Sequence, residues 1–124
     1  MVGLDQDKEC PDELAKLLMN HNFTFIHATI DQLRELFPAQ SIDYLMSCDV
    51  FMFIEDVNRY FDDVGWLVKS RIRQIGWYMK NNPRMRNSLE PDQILEAYPK
   101  RGWHTRLIDL DWHKNGYMIQ ADRQ

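Results

Sequence analysis

Apolar residues recur at three- and four-residue spacing along much of this chain, the pattern of helices that bury one face. From Ser41 onward Ile42, Leu45, Met46, Val50, Phe53, Ile54, Val57, Tyr60 and Phe61 keep that period. They predict a long helix, and Tyr44, Cys48, Phe51 and Met52 add apolar groups to its other side. A helix apolar all round lies in the centre of a core or is covered by a second protein. Asp49 offers a fresh N-cap that would split the segment in two, and a buried strand over Val50–Ile54 is the alternative. Nearer the start, Pro11, Asp12 and Glu13 open a helix whose stripe is Leu14, Leu17 and Leu18, with Pro at a first-turn position and acids facing the positive end of the dipole. Residues 22–28 are rich in strand formers and predict a short strand. Thr29 and Gln32 match a capping box, and the helix it opens carries Ile30, Leu33 and Phe37 before Pro38 halts it.

Asp62, Asp63 and Gly65 disfavour helix interiors and predict a break. Val64 to about Asn81 reads as a second long helix ending before Pro83. Ser88, Pro91, Ile94, Leu95 and Tyr98 mark a shorter one stopped by Pro99. The period then changes. Arg106–His113 and Tyr117–Ala121, joined around Asn115-Gly116, give a hairpin signal; a two-residue loop would set Trp112 opposite Ile119 and Leu110 opposite Ala121. These elements predict a mostly helical α+β fold, one domain over residues 1–124, closed by a C-terminal β-hairpin at about 104–121.

The chain has 124 residues, 44% hydrophobic and 12% aromatic, which is ample for one core. Its longest wholly apolar run is the five residues from Val50 to Ile54, far short of the roughly 20 that span a bilayer. The acidic, polar opening is unlike a secretory leader. Cys10 and Cys48 form no Cys-x-x-Cys pair and read as reduced thiols in a cytoplasmic setting.

Charge changes the picture. Residues 1–63 hold 4 Lys/Arg against 13 Asp/Glu, whereas residues 64–124 hold 11 against 6. Such asymmetry points to an anionic partner, or to pairing between the halves. Wound as a helix at about 100° per residue, residues 64–81 set Lys69, Arg73 and Lys80 opposite the apolar arc, with Trp66 and Trp77 beside them. Cations neutralise phosphates and flat rings stack on bases. Arg84, Arg86, Lys100, Arg101 and His104 would extend the patch, together with Arg106 and Trp103. Arg71 falls inside the apolar arc and is expected to pair with a carboxylate of the acidic half. A solvated helix face satisfied by that half is the plainer explanation.

Catalytic chemistry is sparse. Asp109, Asp111 and His113 alternate along one predicted strand and would share a face, as three ligands of a divalent cation do; an exposed hairpin face explains them without a metal. In the two-residue register Asp122 would oppose Asp109, an unfavourable pairing. His21 and His27 read as capping or polar contacts and Asp62-Asp63 as turn residues. There is no glycine-rich phosphate loop and no recognisable nucleophile context, so neither cofactor, metal nor catalytic residue is expected. Leu89–Pro99 resembles the first helix of helix-turn-helix units in small antitoxin-like proteins over eleven residues, without the recognition helix that follows in them. The sequence therefore predicts a small, non-enzymatic regulatory protein that contacts nucleic acid or another anion through Trp66, Lys69, Arg73, Trp77, Lys80, Arg84, Arg86, Lys100, Arg101 and His104. The alternative is an inhibitor or antitoxin-like factor whose acidic half engages a basic protein. Under either reading, Ile42–Ile54 suits a homodimer contact.

Overall fold

The structure is a computed structural model that describes residues 2–6 and 24–123. They form two compact units, residues 1–36 and 37–124. In the first, strand β1 (Val2–Asp5) pairs in parallel with β2 (Thr24–His27), Val2 opposite Thr24 and Asp5 opposite His27. A 3₁₀ turn at Ile30–Gln32 and the short helix α1 (Leu33–Leu36) follow. The Thr29 N–H donates to Gln32 Oε1 at 2.8 Å, the contact the Thr29/Gln32 spacing predicts. The strand expected over residues 22–28 is present as β2. The helix expected at Pro11–Leu18, and His21, lie outside the described residues.

The second unit is a four-stranded mixed sheet. Strand β3 (Ile42–Cys48) leads through a 3₁₀ turn at Phe51–Phe53 into helix α2 (Val57–Leu67), then β4 (Val68–Trp77). Helix α3 (Pro91–Ala97) precedes the hairpin of β5 (Trp103–Asp109) and β6 (Gly116–Arg123). The order is β3-β4-β6-β5, with β3 parallel to β4 and the hairpin antiparallel, β6 lying against β4. Leu45, Ile72, Gln74, Ile119, Ala121 and Thr105 share one face by register. The helices cover that face: Tyr98 at the end of α3 donates to Gln74 Oε1 at 2.6 Å, and its ring meets Phe61 of α2 edge-on at 5.0 Å. Arg123 closes the far end by stacking 3.9 Å over Trp103 while donating to the carbonyls of Gly65 and Val68, both at 2.7 Å.

The expected mostly helical fold is therefore wrong: strand makes up 38% and helix 30%. Two long helices were predicted where β3 and β4 run. Ile42, Leu45 and Met46 in β3 and Val68, Ile72 and Ile75 in β4 fall at three- and four-residue spacing, and short stretches of that kind match a helical period as well as a strand. The predicted N-cap Asp49 instead sits at φ +56°, turning the chain out of β3. The real N-cap is Asp56, whose Oδ1 accepts from the Arg59 N–H at 3.1 Å. Asp62, Asp63 and Gly65 lie inside α2 rather than breaking it. Tertiary pairs outweigh their poor propensity: Arg59 Nε reaches the buried Asp63 at 3.6 Å, and Arg101 Nε donates to Asp62 Oδ1 at 2.8 Å. Helix α3, stopped by Pro99, stands where the Pro91 signal put it. The hairpin forms with a longer loop than expected, so Tyr117 rather than Asp122 faces Asp109, and Leu107 rather than Trp112 faces Ile119. Trp112 stays 69% exposed in that loop. Among the described residues no helix is long and apolar enough to cross a membrane.

Tyr60, Tyr98 and Tyr117 are buried with their hydroxyls. Burial pushes Tyr60 and Tyr117 up to about 12 from 10.0, and Tyr98 in the same direction. A phenol whose folded value is raised favours the fold fully below its unfolded value, and that contribution drains away as pH climbs through the folded one. Thermal melting should accordingly hold steady up to pH 10 and fall steeply between pH 10 and 12, with phenolate absorbance appearing together with unfolding. Tyrosinate forming without loss of structure in that window would contradict the burial.

Candidate functional site at the carboxyl ends of β3 and β4

Open α/β sheets bind ligands beyond the carboxyl ends of their parallel strands, because the backbone there turns away and leaves a crevice. In the second unit those ends are Cys48 and Trp77. Three segments meet there. The first leaves β3 through Asp49, whose N–H donates to the Ile75 carbonyl at 2.9 Å, and enters the 3₁₀ turn. Phe51 and Met52 of that turn point into the core, while Phe53 is 42% exposed. The second is the loop after β4. Asn87 Nδ2 donates to the carbonyls of Phe51 and Ile54 at 2.9 and 2.8 Å, and the Arg86 N–H donates to the Met52 carbonyl at 2.8 Å. Three backbone acceptors of the turn are thereby satisfied by two neighbouring residues of the loop. The third is the hairpin loop, joined to the end of β4 by the Tyr78 N–H donating to the Asn115 carbonyl at 3.1 Å.

Side chains on these segments build an open cleft of about 260 Å³, lined by Trp77, Met79, Asn82, Arg84, His113, Lys114 and Asn115. Phe53 and Trp77 meet edge to face at 6.0 Å with their planes 80° apart. The Arg84 guanidinium stands 5.8 Å from the Phe53 ring centre and 5.9 Å from that of Trp77, near the outer limit of a cation–π contact. Its backbone is set by its own N–H, which donates to Asn82 Oδ1 at 2.9 Å. His113 Nε2 lies 3.4 Å from Asp49 Oδ1, linking the hairpin loop to the exit from β3. Gly76 is required beneath: a Cβ there would come within 3.0 Å of Met52 Cε and Tyr117 Oη.

The predicted basic patch is divided by this architecture. Lys69 and Arg73 belong to β4, not to a helix, and each meets a carboxylate. Lys69 Nζ is 3.9 Å from Asp43, and Arg73 Nη1 is 3.3 Å from Asp122. Arg71 shares Asp122 at 3.2 Å, so its partner comes from the basic half rather than the acidic one. Arg101 is held by Asp62. Lys100, Arg101 and His104 cluster where β6 ends and β4 begins, since His104 faces Asp122 and Asp122 faces Arg71. Trp77 and Arg84 lie at the opposite end. Trp66 is half-buried in α2, its carbonyl accepting from Gln40. Lys80 and Arg86 are exposed on the loop after β4. Of the ten predicted contacts, Trp77 and Arg84 converge in the cleft and Arg86 lines the hollow beside it. Phe53, Met79, Asn82 and Asn87 were missed as site residues; the apolar surplus at Val50–Ile54 was the available signal. Asp109, Asp111 and His113 do not share a strand face, because only Asp109 is in β5, and the described residues hold no group of three His, Cys, Asp or Glu fit for a metal ion.

No protein-family model matches the sequence, and no curated protein does. Solved structures do match in fold. One is a complex between the Haloferax volcanii Trm112 methyltransferase activator and the putative methyltransferase: 14% identity, TM-score 0.76, covering 98% of this chain and 70% of that one. Another is an S-adenosylmethionine-dependent methyltransferase from Mesorhizobium loti at 14% identity and TM-score 0.77, covering 98% and 79%. A third is magnesium protoporphyrin IX methyltransferase from Synechocystis with bound SAH, at 15% and 0.71, covering 99% and 64%. The chain thus spans about two thirds to four fifths of the length of these three. It has an S-adenosylmethionine-dependent methyltransferase-like fold. That finding overturns the non-enzymatic regulator of the sequence reading, in both its nucleic-acid-binding and its inhibitor forms.

Such a fold implies S-adenosylmethionine as methyl donor, and the residues present fit it only in part. Asp5 ends β1 as an exposed carboxylate of the kind that accepts from ribose hydroxyls. The glycine-rich turn that lets a nucleoside approach a backbone is missing: Gly3, Gly65, Gly76, Gly102 and Gly116 all stand singly. No catalytic step is therefore derived through the donor.

Asn87→Ala should loosen the turn from the loop: the Ile54 carbonyl loses its side-chain donor, while the Phe51 carbonyl keeps only the Ile54 N–H. A loss of about 1–3 kcal/mol is expected in denaturant unfolding, with faster amide exchange confined to residues 51–54 and 84–88.

Proposed function

We propose that this chain acts in methyl transfer from S-adenosylmethionine and that its carboxyl-end cleft receives the methyl acceptor. The observation that carries the reading is the coincidence of two things. Nearly the whole chain superposes on methyltransferases, and the exposed Phe53 and Arg84, with the half-buried Trp77, lie beyond β3 and β4, where a fold of this kind leaves its crevice. Within that cleft Trp77, backed edge to face by Phe53, forms a wall that excludes water from one side of an acceptor. His113, oriented by Asp49, is the base within the lining and is assigned to take the proton that a nucleophilic oxygen or nitrogen loses on methylation.

The test is transfer of radiolabelled methyl from S-adenosylmethionine, at up to about 5 mM, enough to fill roughly five sixths of a site whose Kd is about 1 mM, to a panel of small hydroxyl, amine and carboxyl acceptors. Label should enter an acceptor with the unaltered chain and fall at least tenfold in Trp77→Ala and His113→Ala. Absence of incorporation above a protein-free control at every donor concentration would overturn the proposal.

A further inference from the structure

We infer that the cleft beyond β4 is a binding site for a small planar aromatic carboxylate, with Arg84 and Lys114 taking the acid and Trp77, backed by Phe53, flanking the ring; its role as methyl acceptor rests on the proposal above, its binding does not.

Charge comes first. The lining holds two cations, Arg84 and Lys114, and no acid. Among the described residues no ion pair engages either of them, whereas Arg71, Arg73 and Arg101 in the same unit all meet an aspartate. Asp49 is turned to His113. An anion entering here meets uncompensated positive charge.

Shape decides which anion. The guanidinium is planar, and its N–H donors form a fork that matches a carboxylate with two parallel hydrogen bonds. The Arg84 guanidinium stands beside the Phe53 and Trp77 rings, 5.8 and 5.9 Å from their centres. Trp77, held from behind by Phe53 at 80°, offers the cleft a flat aromatic wall on which an aromatic guest packs. Met79 is 45% exposed beside them and adds a polarizable floor. Asn82 and Asn115 contribute uncharged amide groups to the rim. Size narrows the class further: about 260 Å³ lies just under the roughly 300–1,000 Å³ of pockets for drug-sized ligands, so one ring, or two fused, is the guest that fits.

The test uses the full chain without S-adenosylmethionine, so binding and methyl transfer fail or succeed separately. 4-Hydroxybenzoate is titrated while the indole N–H resonances are followed by NMR, that of Trp77 being identified by its loss in Trp77→Phe. A Kd of about 0.1–1 mM is expected, as for roughly ten heavy atoms at ordinary ligand efficiency, with the Trp77 resonance moving most. The neutral 4-hydroxybenzamide should bind at least tenfold more weakly. Arg84→Ala should weaken the acid at least tenfold and Lys114→Ala about threefold, with melting temperatures unchanged, since neither side chain holds the fold together. Equal binding of acid and amide overturns the inference. So does an unaltered Kd in Arg84→Ala, or inorganic phosphate displacing the acid at equal concentration. Binding that follows this pattern without any methyl incorporation would leave the site standing and remove only the proposed reaction.

Discussion

Strand β4 sets the register of everything else in the larger unit. It is hydrogen-bonded along both edges, to β3 in parallel and to β6 in antiparallel fashion, and it carries the buried Gln74 in its middle. An amide in a core is tolerated only where a partner meets it. Tyr98 supplies one, fixing the end of α3 on the sheet at the point where Phe61 brings in α2. A one-residue slip of β4 would turn Gln74 to the other face. It would also break the salt bridges of Arg71 and Arg73 with Asp122 and move Gly76 from beneath Met52. Hydrogen bonds, charge pairs and packing therefore select the same register.

That register fixes the cleft. Residues beyond the strand ends carry the aromatic and cationic groups, and rigid elements hold each of them in place. Asn87 clips the turn, Asn115 holds the end of β4, and Asp49 meets His113. Apart from Trp77 at the end of β4, these side chains and the residues that hold them lie on loops at the carboxyl ends of the strands.

Some of this was legible in the sequence. Thr29 with Gln32, Pro91 with Pro99, and Asn115-Gly116 are local signals whose chemistry acts within a few residues, and an element stands at each. The parallel strands were not legible. Ile42, Leu45 and Met46 fit a helical period by coincidence, and the deciding partners, Ile72 and Arg73 across the ladder, lie about 27 residues away. Charge misled for the same reason. Adding up cations by halves of the chain ignores that Asp122 sits among the basic residues and takes two of them. For the site, Trp77 and Arg84 stood out because they depart from a core pattern. Phe53 and Asn87 did not, since each becomes informative only once the turn and the loop are known to touch.

The missing side chain at position 76 ties the core to the rim. Met52 rests in that gap, and Met52 belongs to the same turn that presents Phe53 and lends its carbonyl to Arg86. A side chain there would press on the Met52 methyl and the Tyr117 hydroxyl at 3.0 Å, so both must give by a few tenths of an ångström, and the packing beneath Phe53 is set by an atom that is not there.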